Sequence, residues 1–232
     1  MAEVQTALSP PPSRIPEPLP TRYRRIRTVT VALCAPLQPE DYVVQSMPDA
    51  SPAKWHLAHT SWFFEQFLLR PMLKSYRAFH PRYEFLFNSY YQTVGPMHQR
   101  PHRGLLTRPT VEDVRRYRAH VDEHMQQLLE SKPHDEKVSS LVELGLNHEQ
   151  QHQELLLTDI KHLLSCNPLL PAYRDEPLPT SHAESSPMRF CAFDGGVREI
   201  GASGKHFCFD NETPRHRTLI EPYVSGFTVR FY

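Results

Sequence analysis

The stretch "GLNHEQQHQELLLTDIKHL", residues 145–163, places two histidines, His148 and His152, four residues apart among leucines. On a helix each residue advances by about 100°, so His148 lies about 40° from His152, with Leu141, Leu144, Leu155 and Leu156 flanking the same face. Two imidazoles at this spacing can converge on one ion inside a helical bundle. Three readings compete: a zinc protease motif, another metal site, or two hydrogen-bonded core histidines. "HEQQH" fits H-E-x-x-H, in which Glu149 would be the general base. A protease of that kind needs a third ligand, and nothing downstream of the helix offers a persuasive one, since Glu176 falls in a proline-rich connector. Upstream, "WHLAHTSWFF" supplies His59, which shares a helical face with Trp55, Trp62, Phe63 and Gln66, opposite a narrow polar stripe of Lys54, Ser61 and Glu65. His56 is the weaker candidate for the same centre. Three neutral nitrogen donors leave coordination positions open, as in catalytic metal sites. The plain alternative for His59 is a core imidazole bonded to a carbonyl. Glu154 faces about 160° away from His152 and is set aside. Asp159, seven residues past His152, returns to the histidine face, where it could orient an imidazole, ligate directly, or cap a polar patch.

Four helices must hold these residues. The first is expected from Thr21 to Pro36. The second runs over "SPAKWHLAHTSWFFEQFLLRP", with Ser51 as cap, Pro52 at the first helical position and Pro71 as the stop. The third follows Thr110, and the fourth spans about Asp135 to Ser165. Residues 72–108 lack periodicity and read as a long ordered loop with short helical turns, a class of segment that is usually functional. The chain divides into a proline-rich arm (1–20), a helical domain (21–166), an extended linker (167–187) and a β-prone segment (188–232) too short to build a core easily.

The charges balance, with 26 Lys plus Arg against 26 Asp plus Glu among 232 residues. No basic stripe suggests nucleic-acid binding. No apolar run suggests a signal peptide or a membrane span. The four cysteines are scattered without a CxxC pair, which fits reduced thiols and a cytoplasmic location.

"SPAKWHLAHTSWFFE", "FNSYY", "RGLLTRPT" and "GLNHEQQHQELLLTDIKH", followed by "FDGGVREIG" and "FDNETPRH", resemble the ergothioneine-biosynthesis sulfoxide synthases of EgtB type, the hercynine oxygenases. The resemblance covers roughly residues 20 to 229. It implies a mainly α fold: a DinB-like four-helix bundle followed by the beginning of an α+β domain like the formylglycine-generating enzyme. It implies non-haem Fe(II) held by His59, His148 and His152. The partners implied are O2, hercynine, and cysteine or γ-glutamylcysteine, whose sulfur is joined to the imidazole C2 of hercynine and oxidised to the sulfoxide. Gln151 matches a substrate-contacting position, and Arg100 and Arg103 match an arginine pair that binds the thiol substrate's carboxylates. The H-x3-H-x-E pattern also occurs in ovothiol sulfoxide synthases. Such a site would gather its reactants by coordination, lower the thiol's pKa, and use planar guanidinium forks for carboxylates. In that family the second domain continues further and supplies a proton-donating tyrosine. Terminal Tyr232 is a poor candidate for that role, so the expectation is an incomplete version that binds iron with little synthase activity alone. A DinB-type zinc thiol transferase and a non-catalytic metal-binding bundle stay open.

Overall fold

Prolines bracket the first helix, α1 (Leu19–Cys34): Pro18 stands at its N-cap, and Pro36 follows its end. Its buried residues Tyr23, Ile26, Arg27, Thr30 and Cys34 recur at helical spacing and form one inward stripe. The computed structural model describes residues 17–89, 91, 94–176, 188–204 and 206–227. Most of the expected N-terminal arm, the later half of the expected linker and Tyr232 lie outside the described residues.

Three more long helices follow: α2 (Ala53–Phe64), α3 (Val111–Ser131) and α4 (Glu136–Ser165). Thr110 caps α3 as expected, in a reciprocal box: its Oγ1 accepts the Asp113 N–H at 3.1 Å, and Asp113 accepts the Thr110 N–H at 2.9 Å. Asp135 caps α4 by accepting the Val138 N–H at 3.0 Å. The loop between α2 and α3 holds a short helix (Tyr83–Leu86) and a 3-10 turn (Arg100–Leu105), in line with its lack of periodicity. The chain is mainly helical. No helix among the described residues is long and apolar enough to cross a membrane.

The second helix departs from its reading in three ways. Pro52, not Ser51, occupies the N-cap, and Ser51 makes no capping bond. Ser51 is recruited by tertiary partners instead: its N–H donates to Asp159 and its Oγ accepts from Arg103. Pro71 does not stop the helix, which passes through a π turn (Glu65–Leu69) into a last turn (Arg70–Met72) containing that proline. The polar stripe is not solvated, because all twelve residues of α2 are buried. Each polar group of the stripe finds an internal partner. Lys54 Nζ donates to the carbonyls of Leu106 and Pro109, Ser61 Oγ accepts from Arg27, and Glu65 accepts from the hydroxyls of Tyr76 and Tyr117.

α2 is therefore the central helix, packed against α1, α3 and α4. It packs against α4 over Gly145, where an added Cβ would stand 2.6 Å from Phe64 Cε1 and 2.8 Å from Phe63 Cε1. Both rings are fully packed, so neither can swing aside. Gly145→Ala gains about 1 kcal/mol of helix propensity but overpacks the core at about 1–3 kcal/mol. A net loss of up to about 2 kcal/mol is expected, read from the urea midpoint; a gain in stability would show that the helices can separate without cost.

The chain divides into two compact units, Met1–Arg174 and Asp175–Tyr232. The helical unit thus runs beyond Cys166, and Tyr173 Oη ties the extra residues down by donating to the Leu33 carbonyl at 2.6 Å. The second unit contains two two-stranded antiparallel sheets. β1 (Arg189–Phe193) pairs with β4 (Tyr223–Phe227), and β2 (Gly196–Ile200) pairs with β3 (His216–Ile220). Phe190, Phe193, Val197, Leu219 and Tyr223 are exposed, so the described strands bury little apolar surface. All four cysteines are unpaired.

Candidate metal centre

α2 and α4 face each other across His59, His148 and His152, and one ring nitrogen from each histidine lies within 4.8 Å of the others. His59 Nε2 and His148 Nε2 are 3.2 Å apart. Two donors on one ion at about 2.0–2.1 Å, separated by roughly a right angle, stand about 3 Å apart. His59 is 1% exposed and His148 is 9% exposed, while His152 is partly open. Burial pushes all three imidazoles toward the neutral form: His148 falls to about 4, and His59 and His152 fall well below 6.5, His59 helped by the nearby His148 and His152 by His59. Neutral imidazoles with free lone pairs are what a cation requires.

The second nitrogen of each ring settles how well the site fits an ion. His59 Nδ1 lies 2.7 Å from the Phe87 carbonyl, which can only accept, so Nδ1 carries the proton and Nε2 presents its lone pair. His148 Nδ1 is buried without a hydrogen-bond partner among the described residues. Whichever nitrogen of His148 is protonated, one polar atom is left unmatched. With that proton on Nδ1 the two Nε2 lone pairs face each other across 3.2 Å, and a cation shared between them would remove the clash. The donor set fits a metal ion.

His59 is held in a stack. Its ring lies nearly parallel to Trp55 (4.5 Å, 12°) and to Trp62 (5.5 Å, 15°). The Arg103 guanidinium lies 3.4 Å from the centre of the Trp55 ring, over its plane. Arg103 also donates to Ser51 Oγ at 2.9 Å and to Ser89 Oγ at 3.0 Å. Helical spacing put Trp55, His59 and Trp62 on one face, but gave no hint of Arg103, which lies in the unpatterned loop.

A cavity of about 370 Å³ opens beside the histidines, and Arg100, Arg103, Gln151, His59, His148 and His152 all line it. The three metal candidates and the three substrate-contacting candidates therefore surround one space. Arg100 Nε has no hydrogen-bond partner among the described residues. The wall also includes Trp55, Tyr91 and Leu155, which no motif marked for chemistry. Leu155, expected to flank the buried face, is 40% exposed. A cavity of about 430 Å³ between α1 and α3, lined by Tyr23, Arg27 and Asp122, holds none of the histidines.

His56 and Asp159 adjoin the triad, and His56 also lines the cavity. His56 Nδ1 is 2.9 Å from His152 Nδ1, and His56 Nε2 is 3.0 Å from Asp159 Oδ2. Of the roles open to Asp159, the geometry selects orienting an imidazole. Glu154 is exposed.

Glu149 does not face the cavity. It is fully buried on the α1 and α3 side, paired with Arg27 at 3.0 Å and with Arg118, and it accepts the Thr30 hydroxyl at 2.6 Å. Burial alone would raise its carboxyl, but Arg118 and Arg27 outweigh burial and hold it at about 2. A carboxylate so engaged cannot act as general base, and the zinc protease reading fails on that observation. The physical reason is the 100° step between neighbours on a helix, which sends Glu149 to different helices from His148.

Compared with family models, residues 22–156 match the DinB superfamily. No curated protein matches the chain. The matched region contains all three histidines and spans more than half of the 232 residues. With a buried histidine triad that could hold a metal, set between two helices of a mainly helical unit, the chain belongs to the DinB superfamily.

Proposed function

We propose that this protein is a non-haem Fe(II)- and O2-dependent sulfoxide synthase of the ergothioneine type, in which a DinB-like four-helix bundle precedes the start of a domain like the formylglycine-generating enzyme. In this reading residues 1–20 are an arm, the linker leads to residues 188–232, and the enzyme works in the cytoplasm. The observation that carries the reading is the convergence of His59, His148 and His152 with Arg100, Arg103 and Gln151 on one cavity.

His59, His148 and His152 would hold the iron. Bound there, iron(II) supplies redox chemistry and open coordination positions for a thiol, an imidazole and O2. The protein's own groups do the rest. The Trp55–His59–Trp62 stack fixes the orientation of one ligand ring. Arg100, whose Nε has no hydrogen-bond partner among the described residues, offers a cation to a carboxylate of cysteine or γ-glutamylcysteine. Arg103 secures the Trp55 plane and adds positive charge to the same wall. Gln151, exposed on the rim, offers an amide to hercynine. Trp55 and Leu155 contribute apolar surface to the cavity wall.

The chain should bind one Fe(II) per molecule anaerobically, and the loaded protein should bind γ-glutamylcysteine or cysteine, as measured by calorimetry. Added hercynine and O2 should then yield the sulfoxide, detected by mass spectrometry. A zinc-dependent thiol transferase is the second reading, favoured by the same three-nitrogen donor set, which suits zinc with one open position. Retention of zinc over iron, with O2-independent thiol transfer, would establish it. Failure to bind either metal overturns both.

A further inference from the structure

We propose that Asp159 and His56 form the outer shell of the metal centre, a carboxylate–imidazole–imidazole chain that dictates which nitrogen His152 presents and strengthens it as a donor. The inference rests on the triad being a metal site, and it holds whichever metal is bound.

Asp159 Oδ2 accepts the Ser51 N–H at 2.8 Å, which identifies it as an acceptor. His56 Nε2, 3.0 Å from the same oxygen, must therefore carry a proton. A neutral His56 then has a lone pair at Nδ1, and the atom facing that lone pair at 2.9 Å is His152 Nδ1. Only a proton on His152 Nδ1 makes this contact a hydrogen bond. The His152 lone pair is then at Nε2, and each link is set by the one before.

Metal-bound histidines commonly donate their other N–H to a carboxylate or carbonyl, and that acceptor raises their basicity. His59 uses the Phe87 carbonyl in this way. His152 has no carboxylate within reach of its own ring among the described hydrogen bonds; it reaches Asp159 through His56. Chains of hydrogen bonds polarise one another at low dielectric, and His56 is 3% exposed. The bland alternative is that His56 and Asp159 simply satisfy each other as buried polar groups between α2 and α4. That alternative predicts effects on apo stability and none on metal affinity.

Asp159→Asn keeps the shape but removes the carboxylate; His56→Phe removes the relay and keeps a ring against Trp55. The dissociation constants for Fe(II) and Zn(II), measured anaerobically by competition with a chromophoric chelator, should rise about 10–100-fold in each variant. The double variant should lose no more than either single one. Nitrogen-15 NMR of the metal-free wild type should show His152 protonated at Nδ1, with mixed tautomers in Asp159→Asn. If both variants bind metal like wild type while His148→Leu does not, the relay is overturned and the metal site stands. A His152 protonated at Nε2 in the metal-free protein overturns the relay directly. A wild-type chain that binds neither metal removes this inference together with the reading beneath it.

Discussion

Glu149→Gln should destabilise the metal-free protein by about 3–5 kcal/mol, the cost of leaving buried charges without their partner. Two guanidiniums depend on this carboxylate. Arg27 is 3% exposed and Arg118 is 4% exposed, and both bond directly to Glu149. Arg27 retains Asp122, at 2.6 Å. Arg118 retains only neutral acceptors among its described hydrogen bonds: Thr60 Oγ1 and the carbonyls of Leu57 and Arg27. Against a typical stability of about 5–15 kcal/mol, the loss is large enough to show in any denaturation experiment. The wild-type contribution also has a definite pH window. The carboxyl lies at about 2 in the fold against its ordinary 4.5, so its stabilisation is complete above about 4.5 and fades as the pH falls toward 2. Glu149→Gln should lack that part of the acid sensitivity. A protease base would behave in the opposite manner, with folding intact and peptide cleavage lost.

The neighbours His148 and Glu149 show where sequence reading succeeds and where it stops. The i, i+4 spacing of His148 and His152 places them together on any helix, and the Asp135 cap makes the helix itself legible. What Glu149 does depends on which helices pack against α4, and pattern alone does not contain that. α2 was harder for a related reason. A helix buried all round has no solvated face, so Lys54, Ser61 and Glu65 look like a wet stripe until their internal partners are seen. Ser51 illustrates the same conflict at a helix end. It has the right chemistry for a cap, but Asp159 and Arg103 claim it from 108 and 52 residues away. Arg100 and Arg103 lie in a loop without period, and only resemblance to a family pointed to them. The second nitrogen of each histidine was illegible for the simplest reason: one letter stands for two chemically distinct atoms.

His148→Leu should abolish the metal response of the protein while leaving the metal-free fold as stable as wild type or more so. A four-ligand zinc site is worth about 10–16 kcal/mol, so one ligand carries about 3–4 kcal/mol, or a few hundredfold in affinity. With metal at 1,000 times the wild-type dissociation constant, binding stabilises wild type by about 4 kcal/mol, and the variant by less than about 1.5 kcal/mol. Melting curves with and without Fe(II) or Zn(II) read this difference directly. The metal-free limb carries the sharper test. His148 Nδ1 is buried without a hydrogen-bond partner among the described residues, and its ring packs 5.0 Å from Phe63. A buried polar group left unpaired costs about 1–3 kcal/mol. Leucine removes that cost, at the expense of the 3.2 Å contact between His148 Nε2 and His59 Nε2, and fills most of the same space against an aromatic neighbour. A core histidine kept for packing would lose stability on this exchange, with or without metal. A ligand kept for an ion lowers the stability of the empty fold and restores it when the ion binds. Opposite signs in the two limbs would therefore identify His148 as a ligand, and a loss of stability in both would return it to the core.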